Sequence, residues 1–180
     1  MVALLLAEGF EEVEAITPAD FLRRANVNLE IVGIGGRVVR GSHGIAIEAD
    51  KTIDEVSEHD LDGIILPGGM PGAENIAAST QALSLVKRVY EQGKPVAAIC
   101  AAPAVALHKT GILKGKRVTC YPGYESRLKG CHFSEDRVVV DGNLITSRGP
   151  GTAAEFSEKL IEVLVDEESA RDVHAKTLQK

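Results

Sequence analysis

The sequence contains little cysteine, with only Cys100, Cys120 and Cys131 among 180 residues. The number is odd, the spacing is wide and no CxxC pair occurs. Disulfide-rich domains and structural zinc sites use paired, closely spaced ligands, so this pattern argues against both. A metal site from Cys120, Cys131 and His132 is conceivable, but its spacing matches no standard zinc pattern. We therefore predict three free thiols in a reducing compartment and no metal.

Long apolar runs and clusters of positive charge are also missing. No run approaches the roughly 20 residues that a membrane span requires, and residues 1–7 lack the basic flank and cleavage site of a signal peptide. The formal net charge is -6 with no basic stripe, which argues against nucleic acid as a partner. We predict a cytoplasmic protein without membrane or nucleic-acid partners, with a single domain over positions 1–180.

The chain instead shows short apolar runs that alternate with helical patterns. This order predicts an α/β fold with a mostly parallel sheet and helices on both faces. Two glycine-bounded segments, 37–40 and 45–48, predict a hairpin on the edge of that sheet, and 117–120 predicts a further short strand. The other strands are predicted at residues 2–7, 28–33, 61–66, 96–99, 138–141 and 143–146, and the helices at 11–25, 73–78, 81–92, from 104 onward, 153–165 and 167–176.

Three of the predicted turns should meet at one end of the sheet. Ligands of such folds bind at the carboxyl ends of the strands, and the turns after Ala7, after Leu66 and at Cys100 all lie there. The second turn, residues 67–72, is rich in glycine, so its backbone can approach a ligand closely with N–H groups as donors. It does not match a P-loop and the chain has no GxGxxG, so nucleotide binding is not indicated.

Cys100 stands at the corner between a predicted strand and a helix with Pro103 in its first turn. A sharp strand-to-helix turn leaves the corner side chain at the helix N-terminus, where backbone N–H groups and the helix dipole favour a thiolate. This is the arrangement of a nucleophile elbow, with sulfur in place of the serine oxygen. The alternative is that Cys100 is a small buried apolar residue, as most lone intracellular cysteines are.

Glu14 is the candidate partner of this thiol because the topology can bring the first helix over the end of the Cys100 strand. The alternative is that Glu11, Glu12 and Glu14 are acidic residues favoured near a helix N-terminus. We adopt that interpretation for Glu11 and Glu12. Glu14 differs because apolar residues flank it. Burial and a nearby thiolate would favour its protonated form, which could donate a hydrogen bond to sulfur or pass a proton to a substrate.

Four motifs occur in order along almost the whole chain: Glu-Glu-Val-Glu at 11–14, Leu-Pro-Gly-Gly at 66–69, Ala-Ala-Ile-Cys-Ala-Ala-Pro at 97–103 and Thr-Ser-Arg-Gly-Pro-Gly-Thr at 146–152. Together they resemble the ThiJ/PfpI superfamily, and most closely its parkinsonism-associated, DJ-one-like branch of protein deglycases and glyoxalases. The resemblance implies a flavodoxin-like three-layer sandwich related to class I glutamine amidotransferases, usually a homodimer. Chemistry varies far more than fold within this superfamily.

The resemblance also implies roles for individual residues. It makes Cys100 the nucleophile and Glu14 its hydrogen-bond partner. It assigns the backbone N–H groups of an oxyanion hole to Gly69 and Ala101. It places basic residues near the thiol pocket or the dimer interface, at Arg24 and His43.

One position departs from the pattern of many relatives. They carry a histidine base before the proline that is Pro122 here, whereas this chain has Tyr121. A neutral phenol cannot replace imidazole as a base near pH 7, so a Cys-His-Glu triad is not present at these positions. His108, on the helix after the elbow, and His132, in a predicted polar loop, are interpreted as surface or structural residues. No His-x-Glu follows Cys100, which argues against glutamine hydrolysis.

The resemblance predicts a cofactor-free enzyme that detoxifies reactive dicarbonyls or glycation adducts through a hemithioacetal on Cys100. Turnover should be slow, because proton transfer has to use Glu14 or water. The rival prediction is a redox-sensing stress protein or chaperone that acts through oxidation of Cys100. A third class, a binding module that uses the same cleft, would keep its function without the thiol.

Overall fold

The protein, described here from a computed structural model of all 180 residues, is built from eleven strands and six α-helices that alternate as predicted. The strands are β1 (Val2–Leu6), β2 (Leu29–Gly33), β3 (Val38–Arg40), β4 (Ala46–Glu48), β5 (Lys51–Thr52), β6 (Gly63–Leu66), β7 (Val96–Ile99), β8 (Arg117–Val118), β9 (His132–Phe133), β10 (Val138–Asp141) and β11 (Leu144–Ser147). The α-helices are α1 (Glu12–Arg24), α2 (Gly72–Ala78), α3 (Thr80–Glu91), α4 (His108–Thr110), α5 (Ala153–Leu164) and α6 (Glu167–Lys176).

Seven strands form the central sheet, in the order β10-β11-β7-β6-β1-β2-β5. Every neighbouring pair is parallel except β10 with β11, which form an antiparallel hairpin. The inner strands β1, β6, β7 and β11 are buried along their whole length, as expected for a parallel sheet covered on both faces. The predicted flavodoxin-like α/β fold is confirmed.

The helices form two packed groups. Helix α5 packs against both α1 and α6, and α2, α3 and α4 form a second group that also packs on the π-helical turn Pro103–Leu107. A continuous apolar core of 52 buried residues joins these layers to the sheet, with Phe10 and Phe156 as its largest fully buried side chains. No helix is both long enough and apolar enough to cross a membrane.

The predicted hairpin exists, but its predicted place on the edge of the central sheet is wrong. Strands β3 and β4 pair only with each other, and β5 occupies the edge beside β2. The chain reverses tightly after β2, where Gly33 lies so close to the Gly36 carbonyl that a Cβ would meet its oxygen at 2.1 Å. The hairpin instead bonds to the turn after β1, where the Gly9 N–H donates to the Arg40 carbonyl and the Ser42 N–H to the Phe10 carbonyl.

The segment predicted as a strand over residues 117–120 is shorter in the structure. Only β8, Arg117–Val118, is a strand, and it pairs in parallel with β9 in a separate two-stranded sheet. His132, predicted in a loop, belongs to β9 and is exposed. A two-residue strand carries too little periodic signal to be recognised from sequence.

Candidate active site

Cys100 lies at the corner where β7 ends, in a backbone conformation that few non-glycine residues adopt. Its φ is 65°, in the left-handed region, and the π-helical turn begins three residues later at Pro103. The corner is fixed from both sides, because the Cys100 N–H donates to the Ser147 carbonyl and the Cys100 carbonyl accepts from the Tyr121 N–H. The residue is only 8% exposed, and it lines a cavity that opens to the surface. Such strain at a reactive corner is typical of a nucleophile elbow.

Glu14 meets this corner from α1. Its side chain is fully buried, and its Oε2 accepts a hydrogen bond of 2.8 Å from the Gly68 N–H. Both groups lie against Gly68: a Cβ there would lie 2.6 Å from Cys100 Cβ and 2.7 Å from Glu14 Oε2. The other carboxyl oxygen, Oε1, is buried without a hydrogen-bond partner. A buried oxygen without a partner is costly unless it carries a proton or meets a ligand.

The Glu14 carboxyl and the Cys100 thiol each affect the pKa of the other. Burial raises the pKa of Glu14 to about 7, although hydrogen bonds from Cys100 and from the Gly68 N–H partly oppose the rise. Burial also raises the pKa of the Cys100 thiol, and the charge of Glu14 raises it further. The lowered thiol pKa expected from a helix N-terminus is therefore not found, because burial, and after it the charge of Glu14, raises the pKa of the thiol. Two anions in this site repel each other, so a thiolate is least unfavourable when Glu14 holds the proton.

Two backbone donors oppose this effect at the sulfur. The N–H groups of Gly69 and Ala101 donate towards Cys100 and lower its pKa. Gly69 has φ 84°, and a Cβ there would lie 2.3 Å from the Glu11 nitrogen, so the turn admits only glycine. The structure therefore brings Cys100, Glu14, Gly69 and Ala101 to one point. A developing negative charge beside the sulfur would meet both donors.

A cavity of about 200 Å³ opens above the thiol. Tyr121 lines it, with its side chain 44% exposed, and Tyr124 packs edge-on against Tyr121 with ring centroids 6.5 Å apart. Sequence reasoning included Tyr121 but missed four other lining residues: Glu11, Met70, Tyr124 and Pro150. Met70 lies in the recognised glycine-rich turn 67–72 and Pro150 in the motif at 146–152. Tyr124 reaches the cavity because the chain folds back after Pro122, which no local pattern indicates.

Arg24 and His43 do not line this cavity. Arg24 lies at the end of α1, about half exposed, and pairs with Asp20 one turn earlier at 2.6 Å. His43 sits in the loop of the β3-β4 hairpin, where its Nδ1 lies 2.8 Å from Glu12 Oε2. Neither side chain therefore acts on Cys100 within the chain, and their suggested place at a dimer interface stays a prediction.

The interpretation of Glu12 as an ordinary acidic residue of a helix N-terminus is wrong. Glu12 is buried and accepts hydrogen bonds from the His43 side chain and from the backbone N–H groups of His43 and Ile45. Burial alone would raise the pKa of Glu12, but these hydrogen bonds outweigh it and lower that pKa to about 2. Glu12 thus fixes the hairpin loop to the start of α1.

The remaining cysteines and histidines lie outside the cavity. Cys120 is fully buried, and burial raises the pKa of its thiol to about 11. Cys131 is half-buried, and His108 begins α4 as expected. The one cluster of three potential metal ligands comprises Glu11, Glu12 and His43, whose ligand atoms lie within 4.8 Å of one another. These groups already pair among themselves.

Comparisons with known proteins identify the family and the fold of this chain. The model of the DJ-1/PfpI family matches residues 1–163. Protein DJ-1 homolog A of Arabidopsis thaliana is 41% identical to this chain, and the match covers 96% of this chain. The chain spans less than half the length of these plant relatives: 44% of homolog A and 40% of homolog B. A protein of Pyrococcus abyssi named a deglycase is 32% identical, with 91% of this chain and 98% of that protein covered. The structure named "Toxoplasma gondii DJ-1, oxidized" is 40% identical with a TM-score of 0.94, covering 98% and 97% of the two chains.

Proposed function

The chain belongs to the DJ-1/PfpI family, and on that premise we propose that it is a cysteine-dependent enzyme that converts reactive dicarbonyls, or early glycation adducts, to hydroxy acids. The observation that carries the proposal is the Cys100–Glu14 pair: a thiol in the wall of the cavity beside a buried carboxyl whose pKa is raised to about 7. A carboxyl that titrates near neutral pH can give and take protons under working conditions. The deglycase name of the Pyrococcus relative supports the same reaction class.

With methylglyoxal as substrate, the Cys100 thiolate adds to the aldehyde carbon to form a hemithioacetal. The oxygen that gains negative charge lies near the N–H groups of Gly69 and Ala101. The hydrogen of the aldehyde carbon then leaves as a proton, and a proton is returned to the neighbouring ketone carbon. The first carbon is thereby oxidised to a thioester while the second is reduced to an alcohol. Water cleaves the C–S bond, releasing lactate and the thiol, so no external oxidant or reductant is needed.

Glu14 is the proton carrier in this scheme. Its Oε1 has no partner within the protein and is therefore free to bond to a substrate oxygen. A protonated Glu14 donates to the developing oxyanion, and the resulting carboxylate accepts the proton from carbon. Tyr121 stands where relatives carry a histidine, and it forms a wall of the cavity rather than a base. Slow turnover follows, because one carboxyl has to perform every transfer.

The test is lactate formation from methylglyoxal without glutathione. Cys100→Ser should reduce turnover at least about a hundredfold, since serine is not ionised near neutral pH. Cys120→Ser is the matched control, because this thiol is buried away from the cavity, and it should retain turnover. Unchanged turnover in Cys100→Ser would overturn the proposal.

A redox-sensing role of the same thiol is the second candidate. One observation favours it: a structural relative, with which this chain shares 40% identity, is described as oxidized. An accessible thiolate beside hydrogen-bond donors can be oxidised by peroxide to a sulfinate that those donors stabilise. Peroxide-dependent mass gain on Cys100 in a protein that makes no lactate would favour the sensor over the enzyme.

A homodimer is also part of the proposal. Val13 and Ile16 project from one side of α1 and are 47% and 39% exposed, and Ile45 of the adjoining hairpin loop is 56% exposed. Exposed apolar side chains that cluster in this way are typical of an interaction surface. We define Val13, Ile16 and Ile45 as the α1 patch. A second copy that covered it would also bury the nearby His43 and Glu12 pair.

A further inference from the structure

A second groove, separate from the thiol cavity, carries an unusual concentration of positive charge. It lies between α2, the helical segment that follows Cys100, and the loop after Tyr124, and it encloses about 570 Å³. Four basic side chains line it: His108, Lys109, Arg127 and Lys129. Glu74 is the only acidic residue of its lining. In a chain of net charge -6, this is a local reversal of sign.

The lysine and arginine side chains of this groove form no ion pairs with carboxylates. Twelve of the twenty lysine and arginine side chains form ion pairs with carboxylates. Lys109, Arg127 and Lys129 belong to the eight that do not, and Glu74 pairs with none of them. Lys109 Nζ donates only to the Ala77 carbonyl, at 3.3 Å. Three unpaired cations around one depression leave a positive potential that an anion can neutralise.

The floor of the groove is apolar and can contact the carbon skeleton of a small organic ligand. It is formed by the small apolar side chains of Ala77, Ala104 and Val105. A volume of about 570 Å³ lies in the range of small-molecule sites and exceeds what a bare inorganic anion would fill. Guanidinium and ammonium groups together are the donors that bind phosphate oxygens most strongly.

We propose that this groove, which we call the basic groove, binds a small organic phosphate that carries more than one negative charge. The cations surround a single depression with an apolar floor, so the observations favour a compact metabolite over an extended acidic peptide. The proposal does not depend on the reaction at Cys100.

The basic groove is nevertheless in contact with the wall of the thiol cavity. The Arg127 guanidinium lies over the Tyr124 ring, 5.3 Å from its centroid, and Tyr124 lines the cavity. Ala104 and Val105 belong to the π-helical turn that follows the elbow. A ligand that engages Arg127 should therefore shift the NMR signals of the Tyr124 ring as well as those of the groove.

The test is a calorimetric titration of the full-length protein with fructose bisphosphate, with fructose and a hexaglutamate peptide as comparison ligands. We expect binding of the bisphosphate only, with amide chemical-shift changes centred on Ala77, Ala104 and Val105. The double variant Lys109→Gln/Lys129→Gln should weaken binding about tenfold. Lys114→Gln removes another unpaired, exposed lysine outside the basic groove and should leave binding unchanged.

Three results would overturn the proposal. The first is no binding of the bisphosphate at millimolar concentration at low ionic strength. The second is binding that both lysine variants weaken equally, which would indicate attraction to overall charge. The third is binding of hexaglutamate in preference to the bisphosphate, which would assign the basic groove to an acidic polypeptide.

Discussion

At the scale of single residues, the main feature is a carboxyl buried without a cation beside it. An unfolded Glu14 loses its proton near 4.5, whereas the folded protein holds that proton until a pH of about 7. Between these values the folded state binds more protons, so the free energy of unfolding falls as pH rises. The loss is complete above about pH 7 and is of order 3 kcal/mol in total. The hydrogen bond from the Gly68 N–H offsets only part of this cost, and the proposed proton transfer gives the buried carboxyl a role.

The variant Glu14→Gln should therefore be more stable than the wild type and should also lose the proposed activity. Glutamine keeps the size of the side chain and an acceptor for the Gly68 N–H, but it has no proton to lose. Urea unfolding should show a variant that gains stability over the wild type as pH rises from 4 to 8, by up to about 3 kcal/mol, while lactate formation falls. A stability difference that does not change with pH would contradict the raised pKa of Glu14.

Gly68 offers a second test at the residue scale. A methyl group there would lie within 3.0 Å of both Cys100 and Glu14, so the two side chains have to move apart. We expect Gly68→Ala to lose most turnover and about 1–3 kcal/mol of stability, measured by assay and thermal unfolding. Gly36→Ala is the control, because a Cβ at Gly36 meets no atom within 4 Å. Equal effects of the two changes would mean that Gly68 does not set the spacing.

At the scale of elements, the link between Glu12 and His43 holds the hairpin β3-β4 against α1. The pKa of Glu12 is lowered, so its contribution to stability is present above 4.5 and is lost as pH falls through about 2. The pKa of His43 is raised, chiefly by its hydrogen bond to Glu12, so its contribution is present below 6.5 and is lost as pH rises. The link is therefore strongest between these limits.

His43→Ala should lower stability most between about pH 4.5 and 6.5, and less on either side. The same change should raise the pKa of Glu12, which NMR of the side-chain carboxyl can follow. His59→Ala serves as the control, since the His59 imidazole makes no hydrogen bond to another residue. A loss of stability that is the same at every pH would show that His43 acts by packing alone.

Element scale is also where sequence reasoning reached its limit. The bounds of β7, α5 and α6 were predicted to within two residues, because β7 is an uninterrupted apolar run, α5 is amphipathic and α6 is a polar segment that closes the chain. The position of the hairpin was not predicted, since hydrogen bonds to the turn after β1 decide it. The role of Glu12 was missed for the same reason: its partner stands 31 residues away. Non-local polar contacts leave no local pattern.

At the scale of the whole molecule, the fold follows from the order of strands and helices. The convergence of the turns at Ala7, Leu66 and Cys100 was predicted from the rule that parallel sheets bind ligands at their carboxyl edge. That rule placed Cys100 and Glu14 in the same region, but it could not give the protonation of the pair. The pKa of Glu14 depends on burial, which only the packed structure provides.

The proposed homodimer gives a prediction at this scale. Placing charge of one sign in the α1 patch with Val13→Glu/Ile16→Glu should convert a dimer into monomers in sedimentation experiments, because burying unpaired charge is costly. Val163→Glu is the control, as Val163 has similar exposure on α5. If the double variant sediments like the wild type, this face is not the interface.

The most direct test of the account is the protonation of Glu14 itself. The carboxyl carbons of all glutamates are labelled with carbon-13, and the signal that disappears in the Glu14→Gln variant is assigned to Glu14. The chemical shift of that signal in the wild type is then followed from pH 4 to 9. We predict a midpoint near 7 that moves when Cys100 is replaced by serine, because the thiol hydrogen-bonds to the carboxyl and the two groups titrate together. A midpoint near the ordinary 4.5 would contradict the proposal that Glu14 holds the proton.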